Sequence, residues 1–315
     1  MSAHHHPHSH AHGHGHAHGH GHAHGHAHGP VDTGDWRYGV ALAINLAFVC
    51  IEFGYGLIAN STALMADAGH NLADVLGLAM AGGAAWLARR AAPSRRTYGF
   101  GKATILAALG NGVLLVFACG AIAMEAIRRL SAPIEPASTT IMVVAGIGFV
   151  VNIGTAALFL KGRKEDLNVR GAYLHMVADA AVSLGVVVVG LVMLMTGWSW
   201  IDPLVGLAIV AIILFGTWGL LRDSFDLAMD SAPAGIDVGE VRAALLALPG
   251  VQDVHDLHVW ALSTTETALT AHLVHAPGGT DGLLAAAQGL ARDRFGIGHV
   301  TVQLEEAAQP DCPTC

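Results

Sequence analysis

Charge is what this 315-residue chain has least of: Asp, Glu, Lys and Arg together make up 13% of it, while 53% is hydrophobic. Ordinary soluble domains carry about 25% charged residues, so a simple soluble globule is excluded. The mean hydropathy of +0.51 points to a membrane protein. Basic residues are the scarcer sign, 16 against 24 acidic for a net charge of −8, and nucleic acid is not an expected partner without a surplus of Lys and Arg. Cysteine is limited to four positions, isolated Cys50 and Cys119 and terminal Cys312 and Cys315, which gives no disulfide framework of the secreted kind. The N-terminus lacks the basic start and apolar run of a signal peptide. No His-Glu-x-x-His or nucleophile motif appears, so the chain is not expected to be an enzyme.

Histidine, by contrast, is abundant. Of 21 histidines, 14 lie between His4 and His28, alternating with Gly or Ala. No aliphatic side chain larger than Ala follows Met1 in residues 1–30, so no core can form and residues 1–35 are expected to be a disordered cytosolic tail. Many imidazoles on a flexible chain give a high local ligand concentration without fixed geometry, as a metal collector would need.

Six apolar stretches follow, near residues 38–59, 62–88, 103–127, 138–160, 171–196 and 203–221, each long enough for ~30 Å of hydrocarbon. The second connection carries Arg89, Arg90, Arg95, Arg96 and Lys102, and the fourth carries Lys161, Arg163, Lys164 and Arg170. The opposite loops offer only Arg128 and Arg129, so the positive-inside rule puts both termini in the cytosol. Trp36, Tyr38, Trp198 and Trp200 fall at span ends, where an aromatic belt belongs. These features predict a membrane all-α six-helix domain over residues 36–222, in a multi-pass protein of a bacterial inner membrane.

A linker over residues 223–235 leads to a small α+β domain at 236–308. Asp237 to Leu248 and Asp281 to Phe295 read as helices; Val251 to Leu262, Ala268 to His275 and His299 to Leu304 read as strands. The order is α-β-β-α-β. A core of this size is marginal alone, so dimerisation or metal binding would support it. Residues 309–315 form a tail ending in Cys312-Pro-Thr-Cys315, half of a thiolate zinc site that the His tail could complete.

The informative residues are those that should not be in lipid. His70 and Asp74 are four apart in the second span, and His175 and Asp179 are four apart in the fifth. Residues i and i+4 share one helix face, so each pair offers an imidazole and a carboxylate to one point. Two such helices facing each other supply the four N/O ligands of a tetrahedral zinc site, and two aspartates offset the charge of a divalent ion. Recurrence in two spans favours metal over a structural hydrogen-bond network. Asp67 shares the His70 face, either orienting His70 or sitting near the positive end of a helix capped by Ser61 or Thr62. Asn45 and Glu52 form a stripe in the first span, as an access path or a packing contact. Asp202-Pro203 reads as a helix start with Asp at the N-cap, not as a ligand. Imidazole and carboxylate together suit Zn²⁺, then Cd²⁺, Co²⁺ or Ni²⁺.

The run Ser61-Thr-Ala-Leu-Met-Ala-Asp67-Ala-Gly-His70-Asn-Leu-Ala-Asp74, the run Asn168 to Asp179, Asp202-Pro203 and Val254-His255-Asp256-Leu257-His258-Val259-Trp260 resemble the cation diffusion facilitator family, in its zinc, cadmium and cobalt efflux branch. The resemblance covers about residues 36–306. It implies a homodimer with a cytosolic ferredoxin-like domain that exports a divalent metal in exchange for protons by alternating access, with His70, Asp74, His175 and Asp179 as the transport site. It also implies that His255, His272 and Glu305, then His299, are candidates for a regulatory zinc site. Gly99 to Thr104 depart from the family pattern, in which a basic residue precedes Ala-Glu, and no further metal site is carried over to that loop. A membrane sensor or storage protein without flux, or an intramembrane metalloenzyme, are the competing classes; vectorial flux separates them from a transporter.

Overall fold

The computed structural model describes residues 36–132, 134–160, 167–276 and 282–306. The His-rich segment 1–35, the basic Lys161, Arg163 and Lys164, and Cys312 and Cys315 lie outside the described residues. Six long helices come first: α1 (Trp36–Ile58), α2 (Thr62–Ala88), α3 (Lys102–Ser131), α4 (Ser138–Phe159), α5 (Leu167–Thr196) and α6 (Ile201–Ala228). At about 1.5 Å per residue, even the shortest spans roughly 33 Å. Among the described residues, α2 to α6 are long and apolar enough to cross a bilayer, and α1 contributes the apolar stretch Ala43–Ile58.

The helices bury small and branched residues against one another, including Ala63, Ala66, Ala73, Leu115, Ile141, Ala145, Val186 and Ile209. Larger side chains such as Phe117, Met195, Ile212 and Phe215 point outward, which hydrocarbon permits and water would not. Helix α2 packs against α1, α3, α5 and α6, and α4 packs chiefly on α5. Glycine sets two of the closest approaches. A Cβ at Gly206 of α6 would stand 2.9 Å from Thr62 Oγ1 of α2, and one at Gly190 of α5 would stand 2.6 Å from Met142 Cγ of α4.

The start of α2 is pinned by two side chains. Ser61 is its N-cap, its hydroxyl accepting from Leu64 N at 3.1 Å. Asp202 does not cap its own helix as the sequence suggests: α6 begins at Ile201 with no side-chain cap, and Asp202 sits in its first turn. Its buried carboxylate instead accepts from Thr62 N at 2.7 Å, Thr62 Oγ1 at 2.9 Å and Ser61 Oγ at 2.5 Å. The Gly206 crossing brings α6 close enough for this carboxylate to face the positive end of the α2 dipole, a tertiary contact that local pattern cannot show. Nearby, Ala137 N donates to Ala59 O at 3.0 Å and ties the α3–α4 loop to the same end.

At the other end, α6 runs to Ala228, and Asp230 turns the chain with φ +62°. The Lys102 ammonium at the start of α3 holds the Asp230 carboxylate at 2.5 Å. The small domain then follows as α7 (Val238–Leu246), β1 (Val251–Ala261), β2 (Thr267–His275), α8 (Leu283–Phe295) and β3 (His299–Glu305). This is the expected α-β-β-α-β order. Strand β2 is central, antiparallel to β1 and parallel to β3. Val241 and Leu245 of α7 and Ala287 and Ala291 of α8 cover Val254, Leu269 and Leu273 of the sheet. Asp237 caps α7, accepting from Gly239 N at 2.7 Å. Gly296, at φ +69°, ends α8 in the left-handed conformation that favours glycine. The β1–β2 turn meets the membrane domain, where Thr264 N donates to Thr104 Oγ1 at 3.1 Å.

Replacing Asp202 by Ala removes three accepted hydrogen bonds from a buried helix start, so a loss of about 2–4 kcal/mol is expected. Thermal unfolding of the detergent-purified protein checks this, and an unchanged midpoint would remove Asp202 from the stability of α2.

Candidate metal centres

Helices α2 and α5 carry the membrane pairs one turn apart on facing sides. His70 Nε2 lies 3.5 Å from Asp74 Oδ2, that same oxygen lies 3.2 Å from His175 Nε2, and His175 Nε2 lies 3.4 Å from Asp179 Oδ2. The two imidazoles meet edge to face with centroids 6.2 Å apart. Four donors around a zinc ion at about 2.0 Å would all be separated by roughly 3.3 Å. Here the three contacts run as a chain from His70 to Asp179, and no three of these donors are all within 4.8 Å of one another, so the side chains would have to draw together to enclose an ion. Asp179 is nearly inaccessible, and His70, Asp74 and His175 are partly exposed. The group therefore has a buried side and a more open one.

The surrounding residues divide the roles foreseen for them. Asp67 is buried and accepts from Ser183 Oγ of α5 at 3.1 Å, while His70 Nδ1 has no hydrogen-bond partner. Glu52 is fully buried, with neither carboxylate oxygen receiving a hydrogen-bond donor. Its neighbours include the Asp67 carboxyl, with Asp179 in electrostatic reach. Asn45, seven residues earlier in α1, donates to Met176 Sδ at 3.3 Å; Thr155 Oγ1 approaches the same sulfur at 3.4 Å. The sequence reading missed Ser183 and Met176. Ser183 was legible as the position four after Asp179 on the same face, whereas nothing in the pattern marks Met176 as a polar partner.

A second group forms in the small domain. His255 and His272 are direct partners across β1 and β2, with ring centroids 5.1 Å apart. Glu305 at the end of β3 reaches both, Oε2 to His255 Nε2 at 3.1 Å and Oε1 to His272 Nδ1 at 3.0 Å. One donor atom from each lies within 4.8 Å of the others. Glu305 is buried and takes a further hydrogen bond from Gln303 Nε2 at 2.9 Å. His299 is brought elsewhere: it opens β3 opposite Ala268 and meets the Tyr98 ring at 5.5 Å. Six residues of strand, roughly 20 Å, separate it from Glu305. His275 is buried against its own chain, Nδ1 lying 2.9 Å from Ala276 O.

Asp256 joins this group through a break in the strand. At φ +47° it occupies the left-handed region, where β1 shifts register between His255 and His258. Strict alternation would turn Asp256 away from His255, but a bulge re-aims the side chain. Its carboxylate then lies 2.8 Å from His258 Nε2 and 3.6 Å from His272 Nε2.

Residues 39–227 match the cation efflux transmembrane domain, and residues 233–307 match the cation efflux protein cytoplasmic domain. The chain is a cation diffusion facilitator. It is 37% identical over 270 residues to the metal cation efflux system protein CzcD of Cupriavidus metallidurans, covering 85% of each chain. Over 269 residues it is 34% identical to the cadmium, cobalt and zinc/H(+)-K(+) antiporter of Bacillus subtilis, covering 83% of this chain and 86% of that one. The zinc transporter ZitB of Escherichia coli is 34% identical over 288 residues, 90% of this chain and 92% of the relative. This cation diffusion facilitator is thus a multi-pass membrane transporter of cations with a cytoplasmic C-terminal domain, not an enzyme.

If His255, His272 and Glu305 hold one ion, His272→Ala in the full-length protein lowers zinc stoichiometry by one per chain and leaves the membrane pairs loaded. Isothermal titration with Asp74→Ala as the complementary variant reads both, and an unchanged stoichiometry in His272→Ala would leave the triad without a metal role.

Proposed function

We propose that this cation diffusion facilitator exports Zn²⁺, with Cd²⁺ and Co²⁺ as further cargo, in exchange for protons, and that His70, Asp74, His175 and Asp179 carry the ion. The observation that supports this most directly is the chain of three contacts, 3.2 to 3.5 Å long, linking one imidazole and one carboxylate from each of α2 and α5. The names of the relatives agree with this cargo. Two nitrogen and two oxygen donors favour borderline ions over Mg²⁺ or Ca²⁺, which prefer oxygen alone.

Exchange with protons follows from the ligands. Imidazole binds metal only when neutral and titrates near pH 6.5 in the unperturbed state. An ion delivered to the more acidic side meets protons that compete for His70 and His175, and the released site returns protonated. Alternating access requires α2 and α5 to present the same four side chains to each side in turn. Asp67, held by Ser183, fixes the α2 face that carries His70. Glu52 and Asn45 line the neighbouring face of α1 as a polar approach. In the cytoplasmic domain, His255, His272 and Glu305 bind zinc as a regulatory ligand. The His-rich tail collects metal, Cys312 and Cys315 add thiolate donors, and dimerisation of the cytoplasmic domain completes the assembly.

Everted vesicles supplied with external radioactive zinc should accumulate it in proportion to an inward-acid gradient. Asp74→Ala and Asp179→Ala should lower the rate at least a hundredfold, and a rate indifferent to the pH gradient would remove the antiport step. Replacing His70 by Asp should admit Mn²⁺ at the expense of Zn²⁺. An unchanged metal profile in that variant would mean that selectivity is set elsewhere.

A further inference from the structure

The α2–α3 loop concentrates cationic side chains that transport leaves unused. Arg89, Arg90, Arg95 and Arg96 fall within eight residues, and no Asp or Glu occurs between Asp74 and Glu125. All four side chains are exposed. Among the described residues none has a carboxylate within ion-pair distance. The loop is nonetheless shaped: Arg96 N donates to Pro93 O at 2.9 Å, and Gly99 N to Arg96 O at 2.8 Å. Aromatic rings hold two of the guanidinium groups, Arg90 at 3.9 Å over Trp86 and Arg96 at 4.7 Å over Phe100.

Position separates this cluster from an ordinary solvated loop. Trp86 lies in the last turn of α2 with 60% of its surface exposed, at the end of a span, where indole rings sit at the headgroup level. The same loop touches the cytoplasmic domain, through Tyr98 against His299 and through Gly101, where a Cβ would stand 2.7 Å from Leu262 O. It therefore lies on the cytosolic face. A guanidinium stacked on an interfacial indole is fixed beside the phosphate plane of the inner leaflet, with its fork of donors free for two phosphate oxygens.

We infer that Arg89, Arg90, Arg95 and Arg96, with Trp86, form a binding site for the phosphate headgroup of an anionic phospholipid of the cytosolic leaflet. Each basic group near an anionic surface is worth about a fivefold gain in binding, and among the described residues no carboxylate offsets the four. The occupant is lipid and not free phosphate because Trp86, exposed in the last turn of a span, belongs at headgroup depth. Occupancy steadies the loop on which the cytoplasmic domain rests.

Native mass spectrometry of the full-length, delipidated protein, titrated with phosphatidylglycerol or phosphatidylcholine, tests this. The wild type should retain phosphatidylglycerol at least tenfold more tightly, and 10 mM inorganic phosphate should not displace it. The combined Arg89→Gln, Arg90→Gln, Arg95→Gln and Arg96→Gln variant should lose that preference. The matching Arg→Lys variant keeps the charge that orients the chain, so it remains informative if the Gln variant fails to fold. It should lose at least threefold, because lysine lacks the planar fork. Equal binding of both lipids by the wild type would overturn the proposal, as would preference retained in the Gln variant, a Lys variant equal to wild type, or displacement of lipid by free phosphate.

Discussion

A polar side chain inside hydrocarbon has to find its partner within the protein, and this constraint organises the membrane domain. Asp74 faces both His70 and His175, so one carboxylate ties the polar stripe of α2 to that of α5. Asp67 and Ser183 repeat the arrangement deeper in the interface. Neither helix could present its stripe to lipid without a cost of several kcal/mol per charged group. The neighbouring helices thus act as a frame that keeps two costly surfaces against each other. The small apolar residues at the other crossings serve that frame by letting backbones come close.

The cytoplasmic domain uses the same pairing of imidazole and carboxylate under different rules. In water, exposed histidines need no partner, yet His255, His272 and Glu305 converge from three strands and Glu305 is buried among them. The strained Asp256 backbone and its bulge carry a cost of order 1 kcal/mol or more, and what they achieve is to turn one more acceptor toward His272. The Lys102–Asp230 ion pair and the Thr264–Thr104 hydrogen bond join the membrane helices to the cytoplasmic domain.

The sequence made most of this legible because the strongest signals were periodic. Six apolar runs, the i, i+4 spacing of His70 with Asp74 and of His175 with Asp179, and the alternating strands of the small domain all follow from repeat geometry, and the α-β-β-α-β order could be read directly. The parts that could not be read depend on contacts between distant segments. Asp202 looks like the cap of its own helix, and only the close crossing at Gly206 turns it toward α2. The bulge at Asp256 breaks the alternation on which any face assignment rests. His299 belongs by residue type with the other histidines of its domain, yet strand direction carries it to the far end of β3. The His-rich tail and the Cys pair remain chemical expectations, since they fall outside the described residues.

The crossings of this membrane domain are not alike. Where α6 meets α2 and where α5 meets α4, glycine lets the helices lock at distances that admit no side chain, and such joints resist sliding. Between α2 and α5, hydrogen-bonding and ionisable groups meet instead. Under the proposed function, the cargo then doubles as a fastener: an ion bound by all four side chains clamps this polar seam, and its departure frees it. On that reading the empty carrier is the more pliable form, and the loaded one travels as a stiffer body.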